Sequence, residues 1–324
     1  MKKVLPIINN VPIKTYNYIA FRLSIIFGNY DLPTDWLFLN AFQLKYGPQF
    51  NDVTLDVYDD PEWNCFEKKI LSNQIKTDEI IANISNNSYV YLAVDEKFIP
   101  NTIAHQQQSF IHDILVYGFN EEKKLFDIIG FDKRQQYICQ KISFTELESA
   151  ISSANKFLIG QTDTYEFFGT GNNFALKFFI PDSYKPIMDD SILKQEVEYF
   201  LQGDEFYSPP EKHWYSGIIV YQKILEDREA LLDFRNWNII KEHTQFILQY
   251  IESHFQNMKF PISESKKVIH YANLCLQLSL KYEIDNKENT VKRLWSTAQD
   301  MFKEIEKVFR EILNQLITEQ NQAG

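Results

Sequence analysis

Apolar positions near the start of the chain recur every three to four residues: Ile19, Leu23, Ile26 and Phe27 fall on one helical face. The spacing predicts a helix over 15–28, with Thr15 or Asn17 as its cap and Gly28 as its stop. The strand-like VLPII precedes it. A second short helix is predicted after Pro33, over 35–46, closed by Gly47, and a partly helical stretch over 61–84 with Thr77-Asp78-Glu79 as a start signal. From residue 89 the pattern changes. YVYLAVD (89–95) is dense in β-branched and aromatic residues and reads as a buried strand. HDILVYGFN (112–120) and LFDIIGFD (125–132) flank a short polar turn and read as a hairpin. YICQKIS (137–143) is a fourth strand, FTELESAIS (144–152) a helix capped by Ser143 or Thr145, and FALKFFIP (174–181) a further strand.

Beyond residue 191 the three-to-four spacing dominates. A helix ends near Gly203, a loop over 208–214 holds Pro209 and Pro210, and amphipathic helices follow over 216–229, 237–257, 263–283 and 289–319. The expected fold class is therefore α+β: an antiparallel sheet with helices in front over 1–185, then an all-helical bundle over 186–324. Such a bundle either completes a substrate groove or mediates homodimerisation.

Composition narrows the function classes. The 324 residues carry 44 acidic and 33 basic side chains, a formal net charge of -11, with no basic block. That balance works against nucleic acid and against polybasic membrane attachment. No apolar run approaches the ~18 residues of a membrane span, and VLPII, broken by Pro6, Asn9 and Asn10, is too short for a signal peptide. Cys65, Cys139 and Cys275 are too few and too scattered for a disulfide framework or a zinc site. The expectation is a cytoplasmic protein with no metal and no bound cofactor. Aromatic residues reach 15%, which fits packed cores or a deep apolar groove. No phosphate loop, HExxH or GxSxG is present, and GTGNN (169–173) reads as a loop.

What remains is an order of parts: a helix opening near residue 17, a strand beginning at His112, and a hairpin partner carrying Asp127. A helix N-terminus favours a thiolate, a histidine moves the proton, and a third group orients its ring. This is the layout of papain-like cysteine enzymes. The opening KKVLPI, the helix NYIAFRLSIIFG with DWLF after it, and the pair HDILVYGFN–EEKKLFDIIGFD resemble the butirosin biosynthesis protein H family of acyltransferases. YSGIIVYQKIL and DFRNWNIIKEHTQFILQYI resemble that family's helical C-terminal part. The resemblance implies a cysteine-peptidase-like fold and transfer of an acyl group from the phosphopantetheine thioester of an acyl or peptidyl carrier protein to a small-molecule amine. It places the base at His112, the carboxylate at Asp127 and the nucleophile at or next to Asn17.

No cysteine lies in the first 64 residues, so the nucleophile is missing. Cys65 lies outside the first helix, while Cys275 and Cys139 read as core. Each site residue also has an ordinary reading: Asn17 as a helix cap, His112 as a structural histidine, Asp127 as a surface carboxylate beside Lys123 and Lys124. His105 and His213 read as loop residues, and Arg235 and His243 as surface groups. Three functions stay open. The first is direct acyl transfer with His112 as base, Asp127 as orienter and Asn17 as oxyanion donor. The second is a non-catalytic relative that binds a carrier protein, an intermediate or a catalytic paralogue. The third is a peptide-processing factor.

Overall fold

The computed structural model describes residues 1–55, 65–158, 173–180, 189–208, 212–255 and 261–323. The chain divides into two compact units, Met1–Asp31 with Glu62–Tyr184, and Leu32–Pro61 with Lys185–Gly324.

The first unit is built on a seven-stranded antiparallel sheet. Its strands are β1 (Lys2–Val4), β4 (Phe66–Ile70), β5 (Ser88–Asp95), β6 (Ile111–Asn120), β7 (Leu125–Phe131), β8 (Tyr137–Ser143) and β9 (Phe174–Phe178), in the order β4-β9-β5-β6-β7-β8. β1 pairs with the far end of β6, Lys2 opposite Asn120. β5 and β6 are buried on both faces, which explains why their sequences are continuous apolar runs and not alternating ones. The helices are α1 (Asn17–Asn29), α3 (Thr77–Ser85) and α4 (Phe144–Leu158). α1 is enclosed almost all round, from Ile19 to Ile26, and Phe21 meets the Tyr91 ring of β5 edge-on at 5.6 Å. Gly28 packs against the backbone of Pro6 and Ile7 so closely that an added Cβ would sit 2.7 Å from the Ile7 Cα. Of the stretch expected to be partly helical over 61–84, residues 61–64 lie outside the described residues and the helix is confined to its end, from Thr77. β4 precedes α3 and pairs with β9, Phe66 opposite Phe178. The strand predicted over 174–181 ends at Phe178, and residues 169–172 of the glycine-containing loop lie outside the described residues.

The second unit combines helices with a four-stranded antiparallel sheet. Its helices are α2 (Pro33–Asn40), α5 (Asp190–Gln202), α6 (Ile218–Glu226), α7 (Arg228–Leu232), α8 (Phe234–His254), α9 (Ile262–Asp285) and α10 (Glu288–Ala323). Its strands are β2 (Leu44–Gly47), β3 (Asp52–Leu55), β10 (Asp204–Ser208) and β11 (Lys212–Ser216), in the order β10-β11-β2-β3. Four expectations change here. The helix over 35–46 stops at Asn40, because Leu44 and Tyr46 bury one face of a strand while Lys45 points away. Of the loop expected over 208–214, Ser208 and residues 212–214 are strand, in two arms that pair Tyr207 with His213; residues 209–211 lie outside the described residues. The C-terminal part is therefore helical but not all-helical. Residues 32–61 group with this unit and not with 1–31, because β2 pairs with β11 through Tyr46–Tyr215 and Lys45–Ser216.

Candidate functional site

α1 begins without a side-chain cap: Tyr16 precedes it in extended conformation, and Asn17 is its first helical residue, not its cap. The Asn17 side chain is buried, and its Nδ2 donates to the Asp113 carbonyl at 2.9 Å. The same nitrogen lies 3.4 Å from His112 Nε2 and 3.5 Å from Nδ1. Near-equal distances place it midway between the two ring nitrogens and off the lone-pair axis of either. The strong bond is to the carbonyl, and the ring is a close neighbour. Among the described residues, Asn17 Oδ1 is buried with no hydrogen-bond partner.

His112 is the second residue of β6 and stands opposite Val94 near the end of β5. That register brings the residues just after β5 to the imidazole. Glu96, in a single 3-10 turn over Glu96–Phe98, places Oε1 2.8 Å from His112 Nδ1. An ionised carboxylate only accepts, so Nδ1 carries the proton and Nε2 is the nitrogen left for chemistry. The His112 side chain is 29% exposed and that of Glu96 10%, so the ring is reachable while its carboxylate is shielded. Burial alone lowers the His112 pKa. The Glu96 hydrogen bond and the charges of Asp113 and Glu96 outweigh it, and the net shift is upward from 6.5.

The turn is held by Asp95. Its buried carboxylate accepts from the Lys97 and Phe110 N–H groups and from the Ser109 and Ser153 hydroxyls, which ties both ends of the 96–110 loop to α4. Burial opposes ionisation of Asp95, but these donors prevail and its pKa is lowered. Asp113, also buried, accepts from the Tyr91 hydroxyl. Burial pushes its pKa up, moderated by that bond, His112 and Arg22. Phe110, half exposed, stands 5.5 Å from the His112 ring.

Asp127 is not part of this site. It lies opposite Gly118, six residues along β6 from His112 and so roughly 20 Å away, and it pairs with Lys141 of β8. An added Cβ at Gly118 would sit 2.9 Å from Asp127 Oδ2, so the glycine makes room for this carboxylate. The carboxylate beside the His112 ring is Glu96, and not Asp127, where the resemblance places it. The available signal was the antiparallel β5–β6 pairing itself, which puts an acid just after β5 beside the first residues of β6.

The remaining candidates fall elsewhere. Cys65 and Cys275 are buried, and burial pushes the Cys275 thiol up. Cys139 is exposed on β8 and not core, with its thiol also raised. His105 is half-buried. His213 is a strand residue stacked on Tyr207 at 4.6 Å, with Nε2 2.7 Å from Glu205. Arg235 does form a surface pair, with Asp233. His243 is buried, with Nε2 donating to the Ala41 carbonyl at 2.8 Å.

Among the described residues, no group of three or more His, Cys, Asp or Glu side chains is placed to hold a metal ion, and no helix is long and apolar enough to cross a membrane. Fold and site define a class only: an α+β protein with a carboxylate–imidazole pair at the N-terminus of a buried helix. No protein-family model matches the sequence, and no curated protein matches it.

Proposed function

We propose that this chain is an acyltransferase-like protein that passes an acyl group from a carrier-protein thioester directly to an amine. The observation that carries the reading is the Glu96–His112 pair beside Asn17 at the opening of α1. A helix N-terminus, a strand-borne imidazole and an orienting carboxylate are the parts of a papain-like cysteine site, here with an amide where the thiol would be. This arrangement, together with the resemblance to the butirosin biosynthesis protein H family, supports the finer fold assignment.

Without a nucleophile the reaction runs in one attack. The amine nitrogen bonds to the thioester carbonyl carbon while His112 Nε2 takes its proton. The tetrahedral oxygen receives the Asn17 Nδ2 hydrogen not given to Asp113 and the dipole of α1. The C–S bond then breaks, and His112 returns the proton to the leaving thiolate. Glu96 holds the ring and stabilises the imidazolium between the two transfers.

A second reading is a non-catalytic relative that binds a carrier protein or intermediate. It is favoured by the Asn17 amide being already committed to the Asp113 carbonyl.

The test uses an N-acetylcysteamine thioester with a primary amine. Direct transfer predicts amide formation by the native chain, reduced at least about 100-fold in His112→Ala; full activity in that variant overturns it. Asn17→Cys tests the geometry without turnover. The introduced thiol should be alkylated by iodoacetamide at pH 6, and much more slowly once His112→Ala is added. A thiol with ordinary reactivity removes the cysteine-site reading. If labelling is His112-dependent but the native chain forms no amide, the binding reading stands, with binding to a phosphopantetheinylated carrier domain as its own test.

A further inference from the structure

The second unit holds a cleft of about 430 Å³ that the acyl-transfer reading does not use. Its floor comes from the sheet. β11 and β2 place Tyr215 beside Tyr46, ring centroids 6.5 Å apart and nearly parallel. Tyr46 is fully buried, and its hydroxyl donates to Asp227 Oδ2 at 2.6 Å, so the ring is fixed. Tyr215 is only partly covered. The ammonium of Lys223, from α6, lies 5.0 Å from the Tyr215 ring centroid, within the range of a cation–π contact. Glu226 holds that ammonium at 2.8 Å.

Asp227, Arg228 and Glu229 also line the cleft. The Asp227 side chain accepts from the Glu229 and Ala230 N–H groups at the start of α7, besides the Tyr46 hydroxyl. Glu229 accepts from Asn51 at 2.7 Å. Among the described residues, neither Asp227 nor Glu229 has a cationic partner, whereas Lys223 and Arg228 are each paired to a glutamate. The cleft thus joins a partly open aromatic face to two carboxylates without cations. A tethered ammonium already sits on that face.

The geometry points to this cleft as a binding site for a small organic cation, a primary amine whose ammonium takes the seat on Tyr215 that Lys223 fills in its absence, facing Asp227 and Glu229. Aromatic faces and carboxylates together select ammonium over neutral or anionic groups. Lys223 is then a built-in competitor, and this sets the inference apart from general attraction of cations to an acidic chain. It stands independently of the acyl-transfer reading, because its readout is binding alone.

The probe is putrescine, titrated into the full-length chain by calorimetry in 150 mM NaCl, which screens diffuse surface charge. Saturable binding is expected, tightened about threefold or more in Lys223→Ala and weakened about two- to fivefold in Tyr215→Leu and in Glu229→Gln. Tyr215→Phe keeps the ring and should bind as the native chain does. If Tyr215→Leu fails to fold, Glu229→Gln and Lys223→Ala carry the test. No binding by either the native chain or Lys223→Ala overturns the inference. So does binding that Lys223→Ala weakens, or that Glu229→Gln leaves unchanged.

Discussion

At the scale of single residues, the site turns on how His112 holds its proton. Its pKa is raised because the Glu96 hydrogen bond and two nearby carboxylates outweigh burial. A histidine raised in the folded state adds stability that is fully present below the unfolded value of about 6.5 and is lost as pH rises through the folded pKa. Glu96→Gln removes the charge but keeps an acceptor. The His112 pKa should fall in that variant, read from the ring-proton shifts in an NMR titration, and the associated pH dependence of stability should shrink with it. Asp127→Asn should leave the same titration unchanged, since Asp127 pairs with Lys141 along the strand from His112. A response to Asp127→Asn but not to Glu96→Gln would restore the orienter that the resemblance implies. The hairpin links β6 to β7 more visibly than the sequence links β6 to the end of β5. The choice between carboxylates is made by strand register, and no local pattern reports the register between strands separated by a 15-residue connection.

At the scale of elements, the 96–110 loop is held by one side chain. Asp95 gathers four donors, and replacing it by alanine leaves these partly buried N–H and O–H groups without their acceptor. Asp95→Ala should cost at least about 2 kcal/mol by chemical denaturation. Amide exchange should rise at Lys97 and Phe110 before it rises in β6; uniform exchange would mean the loop is held by something else. A carboxylate lowered in the folded state contributes stability present above the unfolded pKa of about 3.9 and lost as pH falls through the folded one, which for Asp95 lies below the usual value. The elements legible in the sequence were those with a long uninterrupted signal. α1, β5 through β8, α4 and the long C-terminal helices lie where apolar runs and polar turns place them. β2 was hidden because FLNAFQLKY keeps a helical spacing past the point where the helix ends. The β10–β11 hairpin was hidden behind Pro209 and Pro210, which mark a turn without saying what flanks it. β2 and β11 pair with each other although far apart in sequence, and a local pattern carries no trace of that.

At the scale of the whole molecule, the two units respond to acid through different groups. His243 in the second unit is buried, and burial pulls its pKa down to about 4. A histidine held neutral contributes stability present above about pH 6.5 and lost as pH falls toward 4, a loss of about 3 kcal/mol. The first unit's His112 has the opposite sign. Peptide-resolved hydrogen exchange at pH 7 and pH 5 should show α8 and its neighbours loosening while β5 and β6 stay protected; His243→Gln should flatten the difference in α8. Equal loosening of both units would show that His243 does not govern the acid response. The units also interleave along the chain, since 32–61 belongs with residues beyond 185. A fragment ending at residue 184 should therefore carry an unsatisfied β2–β3 segment and aggregate more readily than the full chain. The same interleaving imposes a schedule on synthesis. A ribosome adds on the order of ten residues per second, so β2 leaves the exit tunnel well over ten seconds before β11 exists to pair with it. In that interval the first unit can assemble its sheet while the nascent β2–β3 segment waits, with the β2 edge open to any extended chain nearby.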